Sequence, residues 1–550
     1  MSDDYVLETS LENQEAGASK MSQHYYIRQP DTNGGSYASG QINWNLPSFS
    51  TQDAYLSLKD SFLEIPYQIT LDSDIDFDTS AKNTFACGLK GGFHQLVHSL
   101  SVTLDNNQVL NFTEFTNIPM QFKIMSKFSQ DDVNNLADTI DFAMDNETAL
   151  GYNTVYGEHN NVIKPVDFDP ATGYETAQIN GGLLKRMMKT SYDPSATEEA
   201  KFTNEALTLI KKRSYYIRKT AKQLQYNIMV ILPLKFVAVD LFEKMPLIKG
   251  AFLRMTLNMH QCKTTWNSSL AGAITAVTPT SQFGVAPAIV APFQAGLGQT
   301  ANAGVYTLQC GIVKTPSSTD TPLGNVCNFV GSFYKMTPKT EEMYLSSSPV
   351  KTISYTETAY NSLLGVNPSQ SIIFQVNNSV SKPRWLLIHM ALAGKINGSA
   401  NATDTVFASG NATAFSTLES PFSSSPATTV KNASMTSFNV KVGGVNLYTQ
   451  NNVSYTYEMY LNEIRSAGAI QGGHELGLSS GILSEKEWSS GYGYIFVDLS
   501  RNETIARDVM PRSIEIVGTN NTLNMVDIRA WIGYEKQIDL NVSTGKVQIL

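Results

Sequence analysis

NIMVILPLKFVAVDLFEKMPLIKGAFLRMTLNMH, residues 227–260, is the most apolar stretch of an otherwise polar chain, and its reading decides the fold. A membrane-spanning helix needs about 20 consecutive apolar residues with few or no charges. Here Lys235, Asp240, Glu243 and Lys244 interrupt the run, and Pro233 would remove a helical hydrogen bond from its middle. The stretch therefore reads as protein core. QYNIMVILPL is a continuous β-rich run, KFVAVDLFEKM a short turn or helix, and GAFLRMTLNMH alternates Phe252, Arg254 and Thr256 against Leu253, Met255 and Leu257. The pattern predicts strand, connector, strand, with Ile231 and Leu253 directed into a sandwich core.

The same β style continues on both sides. YLSLKDSFLEIPYQITL carries Ile65, Tyr67, Ile69 and Leu71 in strict alternation, and HSLSVTLDNNQVLNF reads as strand, Asp-Asn-Asn turn, strand. SQDDVNNLADTIDFAM predicts a helix with Ser129 as cap and Asp131 and Asp132 in its first turn. A second helix is predicted in TPKTEEMYL, where Thr337 caps, Pro338 takes the first helical position, and Glu341 and Glu342 follow. Beyond it, KTISYTETAY, SIIFQVNNSVSKPRWLLIHMAL and FNVKVGGVNLYTQNNVSYTYEMYL read as alternating runs, with a tight hairpin at Gly443-Gly444. GYGYIFVDLS, RSIEIVGTNNTLNMVDIRAWIGYEKQIDL and KVQIL complete the series. Many short strands punctuated by turn residues imply β-sandwich or jelly-roll domains, and 550 residues are enough for two.

Composition narrows the function. Hydrophobic residues make up 42% of the chain and charged residues only 16%, which suits turn-rich β-structure with large surfaces buried against partners. A net charge of -9 argues against a surface that wraps nucleic acid, because phosphate neutralisation needs excess Lys and Arg. Cys87, Cys262, Cys310 and Cys327 are widely spread, which gives neither a zinc ribbon nor a disulfide framework and reads as buried free thiols. The acidic, polar N-terminus lacks the apolar core of a secretory signal, so synthesis in a reducing compartment is expected.

The organisation expected from these patterns is an extended arm over residues 1–49, a first β-domain over 50–336, a linker helix over 337–348 and a second β-domain over 349–550. Within the first domain, 181–222 reads as a basic, partly helical loop and 263–325, rich in Ala, Gly, Thr, Pro and Ser, as a surface insertion.

Sites of chemistry are scarce. HQLVH (94–98) spaces two histidines like a zincin helix, but Gln95 replaces the general base and the flanking residues look like a strand. Asp72, Asp74, Asp76 and Asp78 lack the glycine and distal glutamate of a calcium loop and read as a solvated turn. No phosphate-loop motif is present, and neither a cofactor nor a metal is expected. Sequons are numerous, among them Asn111, Asn146, Asn397, Asn401, Asn411, Asn432, Asn502 and Asn541, as a chain rich in Asn, Ser and Thr produces by chance. In KKRSYYIRK, the residues Lys211, Lys212, Arg213, Arg218 and Lys219 interleave with aromatics. They either pair with Glu198, Glu199 and Glu205 in a solvated loop or touch nucleic acid or anionic lipid.

Four segments follow one another along the chain: ILPLKF with MPLIKGAFLRMTL; YKMTPKTEEMYLSSSPVKTISYTE; SPFSSSPATT with FNVKVGGVNLYTQNNVSYTYEMYLNEI; and VDLSR and RSIEIVGTNN with WIGYEKQIDLNVSTGKV. Together, in this order, they resemble the double jelly-roll major capsid proteins of the adenovirus and tailless-phage lineage, above all those of virophages, polinton-like viruses and adintoviruses. The resemblance implies an all-β fold of two tandem eight-stranded antiparallel jelly rolls with a few short helices and long loop insertions. It also implies a non-enzymatic subunit of the virion, a homotrimer whose six barrels form a near-hexagonal tile. Its expected partners are neighbouring capsomers, penton and minor capsid proteins, with local contact to the genome or an internal membrane. The alternatives are a minor capsid or penton protein, a receptor-binding spike, and an extracellular β-sandwich glycan-binding protein.

Overall fold

The computed structural model describes residues 20–37, 39–76, 85–111, 113–135, 137–144, 214–237, 240–268, 274–281, 287–292, 304–312, 326–376, 381–393, 429, 433–449, 453–466, 481–500, 512–522 and 525–550. In the decisive stretch, strands Gln223–Pro233 and Leu253–Met259 flank a 3-10 turn at Leu234–Phe236 and a helical turn at Leu241–Lys244. The two strands do not pair with each other. Gln223–Pro233 pairs with the long strand Tyr55–Ser73, while Leu253–Met259 lies between Gln41–Leu46 and Val97–Leu104 in another sheet. The connector thus carries the chain from one layer of a sandwich to the other. Leu253, Met255 and Leu257 line the core, as do Val230 and Leu232. Ile231 departs from expectation: it is half-buried on the opposite face, because the alternation that buries Leu232 turns its neighbour away.

The larger layer of the first half is an eight-stranded sheet built on Tyr55–Ser73. Asn328–Met336 and Gly304–Ile312 pair with successive parts of that strand on one flank, and Gln223–Pro233 covers the other. The opposing layer orders Gln41–Leu46, Leu253–Met259, Val97–Leu104 and Asn107–Leu110. Its last hairpin turns at Asp105 and Asn106, whose φ values of 46° and 65° are those of a two-residue primed turn. The layers meet through Trp44, which donates from Nε1 to the Cys327 carbonyl at 3.3 Å, and Tyr67, whose hydroxyl donates to the His260 carbonyl at 2.7 Å.

The second half repeats the plan. A five-stranded sheet holds Val350–Val366, Val526–Asn541, Pro383–Leu392, Ile495–Asp498 and Val547–Ile549; its counterpart holds Ser371–Val376, Ile514–Asn520, Met435–Val442 and Val445–Asn446. Every strand pairing is antiparallel. Gly533 is required by packing here, since a Cβ on it would come to 2.1 Å from Trp385 Cε2. Helix Pro338–Ser347 links the halves, though the Thr337 hydroxyl pairs with that of Thr340 instead of capping a backbone N–H.

Four expectations are corrected. Part of the arm is ordered: Met21–Pro30 pairs with Asn328–Met336 and Gln41–Leu46 joins the smaller layer. The first of these has one largely exposed face, so its apolar alternation is weak. The insertion 263–325 contains strands Cys262–Ser268, Ile274–Ser281, Ala288–Pro292 and Gly304–Ile312; neighbouring strands, not its small side chains, define them. The basic region ends as strand Ser214–Thr220, hairpinned onto Gln223–Pro233, while 181–213 lies outside the described residues. Finally, Tyr457–Ser466 is a helix, because Tyr457, Tyr460 and Ile464 share one face and the latter two are fully buried.

Candidate functional site

His94 and His98 do not converge. His94 lies in the 3-10 turn Phe93–Leu96, with Nε2 2.6 Å from Gln121 Oε1, whereas His98 lies in strand Val97–Leu104 and faces His260 and Phe115 at ring distances of 5.1 and 5.2 Å. Burial pushes the His98 imidazole down to about 4 and His260 well below its ordinary value, so both are neutral at pH 7. Among the described residues no group of three or more His, Cys, Asp or Glu side chains could hold a metal ion. Asp72 lies within strand Tyr55–Ser73, not in a turn, and accepts from Gln223 Nε2 of the neighbouring strand at 2.7 Å; Asp74, just beyond the strand, accepts from the Val305 N–H at 2.7 Å, and Asp78 lies outside the described residues. Lys211, Lys212 and Arg213 also lie outside them, and Arg218 and Lys219 sit in strand Ser214–Thr220, their side chains likewise beyond description.

What the fold does build is a buried seam between its two halves. Helix Asn117–Lys127 is buried along Asn117–Ser126, and its Phe122 ring stacks on Phe496 at 5.2 Å and meets Tyr494 edge-on at 5.4 Å. Buried all round, with Asn117, Gln121, Lys123 and Ser126 set among its apolar residues, the helix shows no clean apolar face, which is why the sequence reading passed over it. Alongside, the hairpin and connection 107–115 run along the second half. Thr113 donates to the Thr358 carbonyl at 2.7 Å, Trp531 Nε1 to the Glu114 carbonyl at 3.2 Å and Asn107 Nδ2 to the Val547 carbonyl at 2.8 Å. The Tyr355 hydroxyl donates to the Val109 carbonyl.

At the centre lies Glu357, only 1% exposed. Its carboxylate accepts from the Asn111 N–H at 2.6 Å and the Tyr534 hydroxyl at 2.7 Å, and pairs with Lys536 Nζ at 3.2 Å. A buried charge persists only when its hydrogen bonds are met, and here both halves of the chain supply them. Arg529, also buried, lies over the Phe115 ring at 5.1 Å, while its Nε and Nη1 have no acceptor among the described residues. The C-terminal turn closes the seam. Lys249 N–H donates to the Val542 carbonyl at 2.8 Å, and Gly545, at φ 70°, sits so close that a Cβ would come to 2.3 Å from Ala251 Cα.

The outer faces differ. Met21–Pro30 pairs on one side only among the described residues, and Tyr26, His24 and Tyr334 form an aromatic row on it, His24 stacking on Tyr334 at 4.4 Å. Tyr26 is 55% exposed, and Ile373, on the end strand of the second half's smaller sheet, is 73% exposed.

No protein-family model and no curated protein sequence matches the chain. Among solved structures, a chain of the Sputnik virophage aligns with a TM-score of 0.51 at 12% identity, covering 97% of this chain and 89% of its own length. The mavirus major capsid protein aligns with a TM-score of 0.45 at 9% identity, covering 98% of this chain and 93% of its own. The fold shared with the first is the double jelly roll.

Proposed function

We propose that this chain is the major capsid protein of an icosahedral DNA virus, a structural subunit in which three copies place six jelly rolls in a pseudo-hexagonal capsomer. The seam carries this reading. Two sandwiches joined by a buried helix, a buried ion pair and carbonyl bonds behave as one rigid block, as a wall element requires. Two like barrels side by side in one chain give three copies approximately sixfold symmetry from threefold association. The double jelly-roll fold supports the same assignment, and exposed Tyr26 and Ile373 suit the partly apolar contacts that neighbouring capsomers make. Penton and minor capsid proteins are the further partners it implies. Sedimentation of the purified chain tests it: a species of three chain masses that associates into larger shells supports the proposal. A stable monomer at all concentrations, or one that binds immobilised glycans, overturns it in favour of the sandwich-binding alternative.

A further inference from the structure

Cys262 and Cys310 stand directly opposite each other on adjacent antiparallel strands, Cys262–Ser268 and Gly304–Ile312, with their sulfurs 3.3 Å apart. Both are buried thiols on the inner face of the sheet. The same register sets Thr264 against Leu308 and Trp266 against Tyr306, the last two rings stacked at 5.9 Å. Directly opposite residues of an antiparallel pair have Cα atoms about 4.5 to 5.5 Å apart, inside the ~4.4–6.8 Å range that a disulfide spans. Closing the gap between the sulfurs therefore needs side-chain rotation and no change of register. Cys327 is placed differently, in the turn before Asn328–Met336, where its N–H donates to Asp31 and Tyr37.

We infer that Cys262 and Cys310 form a latent disulfide site, closed in the folded chain by a low-molecular-weight disulfide such as oxidised glutathione. One thiol loses its proton and attacks a sulfur of the oxidant, which releases one glutathione thiolate and leaves a mixed disulfide. The second thiol loses its proton and displaces the remaining glutathione. In sum two protein thiols lose two electrons and two protons, and the oxidant takes up both to become two glutathione thiols. Burial keeps the thiols out of reach of the oxidant until the strands open, so the pair stays reduced in a reducing compartment and oxidises on prolonged exposure to an oxidising one. The bond joins the first strand after the chain crosses between layers at His260 and Gln261 to a strand 48 residues further on, and restricts the unfolded chain accordingly. The inference rests on strand pairing alone and is independent of the capsid assignment.

The test is native incubation of the full chain with oxidised glutathione, followed by denaturation, alkylation and peptide mapping. Two of the four cysteines should become unavailable to alkylation, with the peptides holding Cys262 and Cys310 joined. The melting temperature should rise by about 5 °C or more and return on addition of dithiothreitol. Cys262→Ser and Cys310→Ser should each abolish both effects, and Cys87→Ser neither. If four thiols remain available, or if the bond formed includes Cys87 or Cys327, the inference is wrong. Mapping of the unaltered chain decides the matter even where a serine variant fails to fold.

Discussion

At the seam, Phe122 is enclosed by Phe496 and Tyr494, and every oxygen of Glu357 is met by a donor from one half or the other. On the outer faces, Tyr26 and Ile373 are side chains of the same apolar kind left in solvent. The first region buries its apolar surface inside one chain, and the second, on the proposed capsid assignment, keeps its own for another. A region that has satisfied its groups internally should respond to substitution through stability, whereas one that has not should respond through association.

The largest effect is expected at Glu357. Glu357→Leu leaves the Asn111 N–H and the Tyr534 hydroxyl without their carboxylate and takes the counter-charge from Lys536, whose ammonium keeps the Gln108 and Val109 carbonyls, and should cost about 3–5 kcal/mol in denaturant unfolding, near that expected for Phe122→Ala. A loss under about 1 kcal/mol in both would mean that the halves are not held by the seam.

Acidity comes next. The folded pKa of His98 is depressed to about 4 from 6.5, so the unfolded chain binds the proton more readily, and that share of stability is intact above pH 6.5 and lost as pH falls towards 4. His260, depressed in the same direction, adds to the loss. The His98 share amounts to about 3 kcal/mol over that window, and His98→Gln should flatten the stability profile between pH 6.5 and 4.5, where carboxylates remain largely ionised. An unchanged slope would place the histidine in contact with solvent.

Gly545→Ala should cost about 2 kcal/mol, read as a lowered melting temperature, because it combines a left-handed backbone with collision against Ala251. The smallest effect on stability sharpens the contrast most. Ile373→Asp and Tyr26→Ala should each change unfolding by no more than about 0.5 kcal/mol yet weaken association of the purified chain by tenfold or more in sedimentation. A large loss of stability with unchanged association would reverse the roles assigned to the two regions.

How much of this was legible in the sequence depended on where the information lies. Ile65, Tyr67, Ile69 and Leu71 showed their strand because one face is buried, and Asp105-Asn106 showed its turn because few residues accept positive φ. The helix Asn117–Lys127 carried no such mark, being buried on all sides. Tyr455, Tyr457 and Met459 fit a strand period by spacing, and only packing against Trp488 reveals that Tyr457 and Tyr460 belong to one helical face. The seam was the least legible part of all: Asn111 and Glu357 are 246 residues apart, and nothing in either local pattern announces the other. The opposed cysteines Cys262 and Cys310 were equally hidden, since their pairing follows from strand register alone.

Electron microscopy of the purified, associated protein tests the central claim most directly. Class averages of discrete particles should show three two-lobed subunits in a hexagonal outline, because each chain contributes two barrels fixed side by side. Single two-lobed particles at every concentration, or lobes that take variable angles within one chain, would contradict the account.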